Sequence, residues 1–274
     1  MEVLGSGGPE ATSRASSSYL IWVDNKAKVL IDFRGGAFLR YGESKAKVED
    51  LEAVLFTHYH IDHSADFPAL IKAGYFSPRT RSLDIYGPSG NYLMPNTKDF
   101  LAGLFSNNGA YPYMSAAIKG GDKYTFALTP HTINAKVNRS KIEQYRHNDI
   151  LIETIAVNHG EIPAIAFRVT IDKKSILFSG DTSANSDNLI KLAKNVDLFV
   201  ANHAIAHTHN KYARKLHMDP LRIGQISQKA KVKSLLLSHR MKRTFGKEQE
   251  SIQDIRQFYK GPLTLAEDHL KTKL

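Results

Sequence analysis

The chain of 274 residues contains no cysteine. Disulfide scaffolds, cysteine-bound zinc, iron–sulfur clusters and thiol nucleophiles are therefore excluded, and any metal ion must be held by histidine and carboxylate side chains. Long apolar runs are also missing. None approaches the 18 or more residues that a membrane-spanning helix needs, so we expect no membrane partner.

A signal-peptide pattern is absent as well, because residues 1–9 lack a basic region followed by an apolar region. The compartment stays open between the cytoplasm and, if the given start replaces a removed signal peptide, the periplasm. We find no linker-like stretch and no repeat with a period of 20–50 residues, so the chain reads as one unit.

Histidine, in contrast, is abundant, with 12 residues, and the formal net charge is +10. Apolar residues make up 42% of the chain and charged residues 23%, which are ordinary values for a soluble globular protein. This composition excludes disordered, collagen-like and coiled-coil chains. It leaves the histidines and the positive charge to be explained.

Short apolar runs rich in β-branched residues predict strands, and stretches with helical periodicity lie between them. The predicted strands are 19–23, 29–32, 53–57, 83–86, 151–157, 164–171, 175–179, 198–201 and 234–238. The predicted helices are 65–75, 98–105, 186–193, 220–230 and 248–258. Asp219 followed by Pro220 is an N-cap with proline at the first helical position, which is the clearest boundary. The interleaving of strands and helices indicates a layered α/β fold.

The segment after the strand at 53–57 contains four side chains of metal-ligand type within six residues. These are His58, His60, Asp62 and His63. Residues two apart in an extended backbone share a face, so His58 and His60 can bind one ion. Asp62 and His63 lie past the bend and turn toward a second ion. This density of ligand types disfavours a plain polar loop.

Three further candidate ligands, His159, Asp181 and His239, follow apolar strands. Polar residues in this position lie at the rim of a sheet, where active sites of layered α/β proteins are commonly built. Each residue alone is as well explained as a structural cap. Together with the first cluster they make five histidines and two aspartates, a set that suits two zinc ions sharing a carboxylate and a water.

The pattern His58-Tyr59-His60-Ile61-Asp62-His63, with His159, Gly180-Asp181-Thr182 and Ser238-His239, resembles the metallo-β-lactamase superfamily. Further matches lie at 3–9, 30–32, 86–90 and 263–266, so the resemblance covers nearly the whole chain. It implies an α/β fold of the αββα four-layer sandwich type. It also implies a single domain, 1–274, made of two similar halves at about 1–125 and 126–274.

By the same resemblance His58, His60 and His159 hold a first ion, Asp62, His63 and His239 hold a second, and Asp181 bridges the two. The expected cofactor is two Zn²⁺ per chain, with Mn²⁺ or Fe²⁺ as alternatives. Lactam-cleaving members typically carry Cys or Ser in place of Asp181, and iron-binding redox members usually carry Glu in place of His60. The chain is therefore more similar to the phosphodiesterase, arylsulfatase and thioesterase branches.

His217 precedes the Asp219-Pro220 helix start, and in tRNase Z and related arylsulfatase-like proteins a histidine at this place reaches the metal site. The resemblance therefore implies that His217 donates a proton to the leaving group or contacts the anionic oxygens of the ester. In tRNase Z a His-Glu pair orients that histidine, whereas this chain has Asn202 and His203. We expect His203 to hydrogen-bond His217 without the fixed charge of a carboxylate.

The tRNA-clamping arm of tRNase Z is inserted between the positions of His159 and Asp181. Only 21 residues separate these two positions here, and the predicted strand-turn-strand of 162–180 uses them. The chain thus resembles the arm-less, arylsulfatase-like relatives of tRNase Z. A tRNA 3′-processing endoribonuclease remains the alternative.

The expected activity is a zinc-dependent hydrolysis of an anionic ester, either a phosphodiester or a sulfate ester, by a hydroxide that bridges the two ions. Asp62 and Asp181 would orient this hydroxide. Hydrolysis of a thioester or lactone uses the same ligands. A non-catalytic metal-binding scaffold is the alternative from another class, and it is disfavoured by the complete set of seven ligands.

The expected partner is a small anionic ester, with nucleic acid as the alternative and a homodimer as the expected assembly if the chain associates. The basic stretch at 240–243 follows His239 and would concentrate an anionic substrate near the site. A solvated basic surface explains the same residues equally well. His207 and His209 have ligand-like spacing, and we interpret them as surface loop residues.

Overall fold

The computed structural model describes residues 1–122, 126–138, 141–207 and 211–274. They form two compact units. Unit 1 contains residues 1–5, 14–133 and 268–273, and unit 2 contains residues 6–13, 134–267 and 274. Over the described residues, every helix is too short or too polar to cross a bilayer.

Unit 1 is built on a six-stranded sheet whose strands lie in chain order. The strands are β1 (Glu2–Gly5), β2 (Ser18–Val23), β3 (Lys26–Ile31), β4 (Ala53–Leu55), β5 (Leu83–Pro88) and β6 (Leu128–Ile133). The first three strands pair antiparallel, and β3 to β6 pair parallel. The carboxyl ends of β3, β4 and β5 therefore lie at one edge of the sheet.

Four helices accompany this sheet, α1 (Ala37–Glu43), α2 (Ile61–Ser64), α3 (Phe67–Gly74) and α4 (Thr97–Phe105). Helices α1, α3 and α4 pack buried side chains on the sheet in one apolar cluster. Phe56, Phe67 and Phe105 are fully buried in it, and the rings of Phe56 and Phe67 meet edge to face with centroids 5.1 Å apart. This packing holds the segment that follows β4 in a fixed position.

Unit 2 is built on a seven-stranded sheet. Its strands are β7 (Glu143–His147), β8 (Ile150–His159), β9 (Ile162–Ile171), β10 (Lys174–Phe178), β11 (Leu198–Asn202), β12 (Leu235–Ser238) and β13 (Leu263–Leu265). Neighbours are antiparallel from β7 to β10 and parallel from β10 to β13. The carboxyl ends of β8, β10, β11 and β12 consequently lie at the same edge.

The helices of unit 2 are α5 (Asn188–Ala193), α6 (Lys211–Leu216), α7 (Pro220–Lys229) and α8 (Glu248–Arg256). Helices α5, α7 and α8 bury apolar residues against the sheet. The side chain of Asp219 accepts a hydrogen bond of 2.9 Å from the backbone N–H of Arg222, so the N-cap predicted for α7 is confirmed.

All nine strands and five helices predicted from periodicity are confirmed within a few residues. The segment between His159 and Asp181 consists of β9, a tight turn and β10, so the hairpin predicted there is confirmed too. The pattern of apolar residues missed the strands β1, β6, β7 and β13 and the short helices α1, α2 and α6. Strand β6 belongs to unit 1, so the continuous stretch of unit 1 extends to residue 133.

Candidate metal centre

In unit 1 the four clustered ligand candidates follow β4 and enter the short helix α2. His58 and His63 are fully buried. The Nε2 atom of His58 lies 3.0 Å from Nδ1 of His60, and Nε2 of His63 lies 3.6 Å from a carboxylate oxygen of Asp62. Two ligands of one tetrahedral zinc ion lie roughly 3.3 Å apart, so each of these pairs has the spacing of a metal-ligand pair.

A second layer of polar residues supports these side chains. The carboxylate of Asp32, at the end of β3, lies 2.9 Å from Nδ1 of His63 and accepts hydrogen bonds from the N–H and hydroxyl of Thr57. Asp32 adopts a left-handed backbone with φ of 49°. A carboxylate on one ring nitrogen fixes the imidazole and directs the other nitrogen toward a metal ion, as in many histidine metal sites.

In unit 2 the carboxylate of Asp181 is the centre of the second cluster. One oxygen lies 3.3 Å from Nε2 of His239, and the other lies 3.9 Å from Nε2 of His159 and 3.9 Å from Nδ1 of His217. The ligand atoms of His159, Asp181 and His217 all lie within 4.8 Å of one another. A carboxylate whose two oxygens face different histidines has the arrangement of a bridging ligand.

The local backbone explains how unit 2 brings these residues together. Gly180 and His239 both have φ of 57°, so the chain turns sharply at the carboxyl ends of β10 and β12. The left-handed conformation of His239 is strained for a residue with a Cβ, and such strain is typical of functional sites. Nδ1 of His159 lies 2.9 Å from the carbonyl oxygen of Leu216, which can only accept. Nδ1 therefore carries the hydrogen, and Nε2 presents a lone pair.

Asn202, at the end of β11, donates a hydrogen bond of 2.6 Å from its side-chain amide to Asp181. Its own backbone N–H donates to the hydroxyl of Ser179. The amide holds one carboxylate oxygen of Asp181 on the side of β11. Asn202 is thus a positioning residue, which the sequence marked only as a departure from a related motif.

His217 lies between α6 and α7, and its backbone N–H donates to the carbonyl oxygen of Ala213. The ring borders a cavity of about 620 Å³ that Arg214, Arg222 and Gln225 also line. Burial lowers the pKa of His217 to about 3, although the Asp181 carboxylate opposes this shift. The imidazole is consequently neutral at physiological pH, with one N–H to donate.

The contact expected between His203 and His217 is not formed. His203 is fully buried, and its Nε2 hydrogen-bonds the hydroxyl of Ser251 in α8 at 2.9 Å. Since β11 ends at Asn202, the side chain of the next residue turns to the helix side of the sheet. The place beside the ligand candidates that we expected for His203 is taken by Asn202.

We expect His203 to make the fold sensitive to acid. Burial lowers the pKa of His203 to about 4, from 6.5 in the unfolded chain. The unfolded state therefore binds more protons between these values, and the free energy of unfolding falls as the pH drops from 6.5 toward 4, by about 3 kcal/mol. Guanidinium unfolding of the metal-free protein at several pH values measures this fall.

The matched variant is His203→Gln, whose side-chain amide can still bond Ser251 but does not titrate. Its stability should decline less steeply over this pH range than that of the wild-type protein. His147→Gln, on the edge strand β7, should keep the wild-type dependence. Identical pH profiles for His203→Gln and the wild-type protein would contradict the prediction.

The basic stretch after His239 is less available to a substrate than we expected. Arg240 is buried and forms ion pairs with Glu248 and with Glu267, the latter at 2.9 Å. The Nε of Arg243 donates to the backbone carbonyl of Ala204. Both guanidinium groups therefore stabilise the fold around β12. His207 lies at the cavity beside His217, and His209 is outside the described residues.

A family model described as a β-lactamase superfamily domain matches residues 29–240. Because the match covers most of the chain, the protein belongs to this superfamily. Ribonuclease Z of Clostridium novyi is 30% identical over 172 residues, which are 62% of this chain and 50% of that protein. Ribonuclease Z of Picrophilus torridus is 26% identical over an alignment of 267 positions that covers 86% of this chain and 84% of that protein. The chain thus spans half the length of the first relative and most of the second.

Solved structures with a similar fold include the metallo-β-lactamase fold protein YhfI from Bacillus subtilis, with a TM-score of 0.73 and 21% identity over 98% of this chain and 96% of that one. The short form of human tRNase Z has a TM-score of 0.74 and 20% identity over 98% of each chain. A diphosphatase of the PhnP family has a TM-score of 0.71 and 19% identity over 99% of this chain and 96% of that one.

These likenesses establish the fold. The α/β class and the metallo-β-lactamase fold expected from the histidine pattern are confirmed. The relation to tRNase Z is confirmed as well. The protein is thus a member of the metallo-β-lactamase superfamily.

Proposed function

We propose that the protein is a metal-dependent phosphodiesterase that hydrolyses a small anionic phosphodiester. The observation that carries the proposal is the Asp181 carboxylate, whose two oxygens face different histidines. A single carboxylate shared in this way is suited to hold two ions next to each other. Nδ1 of His217 lies 3.9 Å from the same carboxylate, and the residue borders a cavity in which it can contact a substrate.

The donor set fits divalent metal ions. His63 and His159 each have Nδ1 engaged by an oxygen, Asp32 in one unit and the Leu216 carbonyl in the other, which directs Nε2 toward a metal ion. Imidazole and carboxylate without sulfur suit zinc first, and manganese or iron next. The residues that we propose as ligands are His58, His60, Asp62, His63, His159, Asp181 and His239. Their division between two ions rests on the sequence resemblance.

Divalent ions bound by these ligands would activate water near neutral pH and offset the negative charge that develops on the ester oxygens. Asp62 and Asp181 would orient the attacking water by accepting hydrogen bonds from it. The neutral ring N–H of His217 would hydrogen-bond the leaving oxygen and stabilise the negative charge that develops there as the bond to phosphorus breaks. Burial of Asp181, with a side chain only 5% exposed, keeps bulk water away from these groups.

The choice of a phosphorus ester is supported by the relatives. Two of them are named ribonuclease Z, and one structural neighbour is a diphosphatase. These names concern bonds to phosphorus, and the same donor set suits the trigonal bipyramidal displacement that such bonds undergo. The surplus of positive charge, +10 over the chain, would also favour an anionic substrate.

Processing of tRNA 3′ ends is the second candidate function, and the ribonuclease relatives favour it. Against it stands the hairpin of β9 and β10, which uses the whole segment between His159 and Asp181. A ten-residue strand, a two-residue turn and a five-residue strand leave no residues for an inserted arm. A small diester does not need an arm to be held, so we place it first.

A panel of substrates tests the proposal. Zinc-loaded protein is offered bis(p-nitrophenyl) phosphate, p-nitrophenyl sulfate, a lactone, a chromogenic β-lactam and a precursor tRNA. We expect hydrolysis of the phosphodiester to exceed that of every other substrate by at least about tenfold, and to stop when the metal is chelated. Cleavage of the β-lactam alone, or activity that survives chelation, would overturn the proposal. Preferred cleavage of tRNA would establish the second candidate.

A further inference from the structure

Arg34 is one of the largest fully buried side chains of the protein and lies directly beside the metal-ligand candidates of unit 1. It follows Asp32 by two residues in the loop after β3. Its Nη2 lies 3.2 Å from the Asp32 carboxylate and also contacts Nδ1 of His63. Its Nη1 lies 3.8 Å from the Asp62 carboxylate. One guanidinium group thus reaches both His63 and Asp62.

A buried guanidinium is costly unless its charge is matched and its N–H groups are bonded. Among the described residues, Nε and Nη1 of Arg34 have no hydrogen-bond partner. The compensation therefore comes mainly from the carboxylates of Asp32 and Asp62. The side chain is 1% exposed, so a substrate cannot reach the charge, and it acts on its neighbours instead.

The positive charge lies against one pair of ligand candidates and not against the other. Asp62 and His63 both contact Arg34, whereas His58 contacts His60 and lies behind the ring of His63, with centroids 3.7 Å apart. A fixed cation beside two ligands lowers the affinity of those ligands for a second cation, because like charges repel strongly where water is excluded. The same guanidinium offsets the Asp32 carboxylate, which would otherwise increase the electron donation of His63.

We propose that Arg34 makes the two metal positions unequal, so that the ion held by Asp62 and His63 binds much more weakly than the ion held by His58 and His60. The inference rests on the proposed function, because it takes these residues to be metal ligands. At low metal concentration the protein would carry one ion per chain. The second ion would bind only as the concentration rises, and metal supply would then control the fraction of active protein.

Titration of the metal-free protein with Co²⁺ tests this inference. The visible absorption of bound Co²⁺ reports each coordination step, and equilibrium dialysis with elemental analysis counts the bound ions. For the wild-type protein we expect two steps whose dissociation constants differ by about 100-fold. Arg34→Met removes the charge and keeps much of the volume. It should lower the dissociation constant of the second step at least about tenfold and leave that of the first step unchanged.

Two variants keep the test decisive. Arg34→Gln also lacks the charge but can still donate to Asp32, so it replaces Arg34→Met if the apolar variant does not fold. Arg34→Lys keeps the charge and should retain two well-separated steps. Arg79→Met is the matched control, since Arg79 is another buried arginine of unit 1 that bonds the carbonyl oxygens of Val48 and Leu51. It should lower stability without moving either step.

Two ions bound in a single step by the wild-type protein would overturn the inference and leave the proposed function intact. The inference would also be overturned if neither Arg34→Met nor Arg34→Gln lowered the dissociation constant of the second ion. Wild-type protein that binds no Co²⁺ would overturn the proposed function together with the inference. Absorption and ion counts are independent of hydrolysis, so none of these outcomes depends on finding the substrate.

Discussion

Replacing Asp181 with asparagine is expected to lower kcat for a phosphodiester by about 10³-fold and to reduce the metal retained after dialysis. The substitution keeps the size of the side chain and removes its charge. Both carboxylate oxygens face a histidine, and one also accepts from Asn202. An amide group offers only one oxygen, so the variant can serve at most one side of the cluster. Steady-state kinetics and elemental analysis measure the two effects.

Asp187→Asn is the control for this experiment. Asp187 lies near Asp181 in the chain, but its side chain is 73% exposed and faces Arg222. This variant should keep its metal and its kcat, and because Asp187 lines the cavity beside His217 its effect should be confined to KM. Asp181→Asn protein that has lost its metal yet hydrolyses the diester at the wild-type rate would show that the carboxylate cluster is not the catalytic centre.

Replacing His217 with asparagine should separate substrates by their leaving groups. For a diester with an alkoxide leaving group we expect kcat to fall by about 10²- to 10³-fold, because the hydrogen bond from the neutral ring stabilises the charge that builds up on that oxygen. For a p-nitrophenyl ester, whose leaving group is stable as an anion, the fall should be less than about tenfold. The ratio of the two effects measures stabilisation of the leaving group and not binding.

The metal content of His217→Asn decides between two roles for this side chain. Its Nδ1 lies as far from Asp181 as Nε2 of His159 does, at 3.9 Å, so the geometry alone also fits a metal ligand. We expect the variant to keep the wild-type number of ions. Loss of an ion, with equal loss of activity toward both esters, would contradict a role of His217 at the leaving group. His147→Asn, on the edge strand β7, is the control for general effects of losing a histidine.

The sequence predicted those parts of the fold in which a buried apolar run ends near a histidine or aspartate. Strands β4, β8, β10 and β12 each contain an apolar run that ends two or three residues before a ligand candidate, so the pattern located both the strand and the residue. Strand β7 was missed for the opposite reason. Its residues, Glu143 to His147, alternate between half-buried and exposed, as an edge strand without an apolar run does.

Strand β6 was missed because Pro130 and His131 interrupt its pattern, and proline is tolerated there only because the strand lies at the edge of its sheet. The positioning residues were missed because their contacts join distant parts of the chain. Asp32 ends a strand just as Asp181 does, so that signal was present in the sequence. Nothing in the sequence indicates that Arg34 turns inward to His63, since arginine in a loop is ordinarily solvated.

The histidines show what spacing can and cannot predict. Ligand-like spacing singled out the pair His58 and His60, and their ring nitrogens lie 3.0 Å apart, although their role as ligands stays a prediction. Spacing did not predict which of the adjacent residues Asn202 and His203, at the end of β11, faces the ligand candidates. Strand geometry directs them to opposite faces, and the shorter one, Asn202, faces Asp181, while His203 faces α8. A shift of one residue thus decides which side chain serves the site.

The segment of residues 6–13 has a consequence for how the protein is made. Although it lies near the start of the chain, it belongs to unit 2, where Ser6 accepts from the N–H of Arg240 and the N–H of Gly8 donates to the carbonyl oxygen of Arg240. A ribosome synthesises Gly8 first and Arg240 232 positions later. Unit 2 therefore cannot complete the turn that carries His239 until both segments have been synthesised. Metal loading at His239 would follow the synthesis of Arg240, and a fragment starting at residue 134 would lack a part of its own unit.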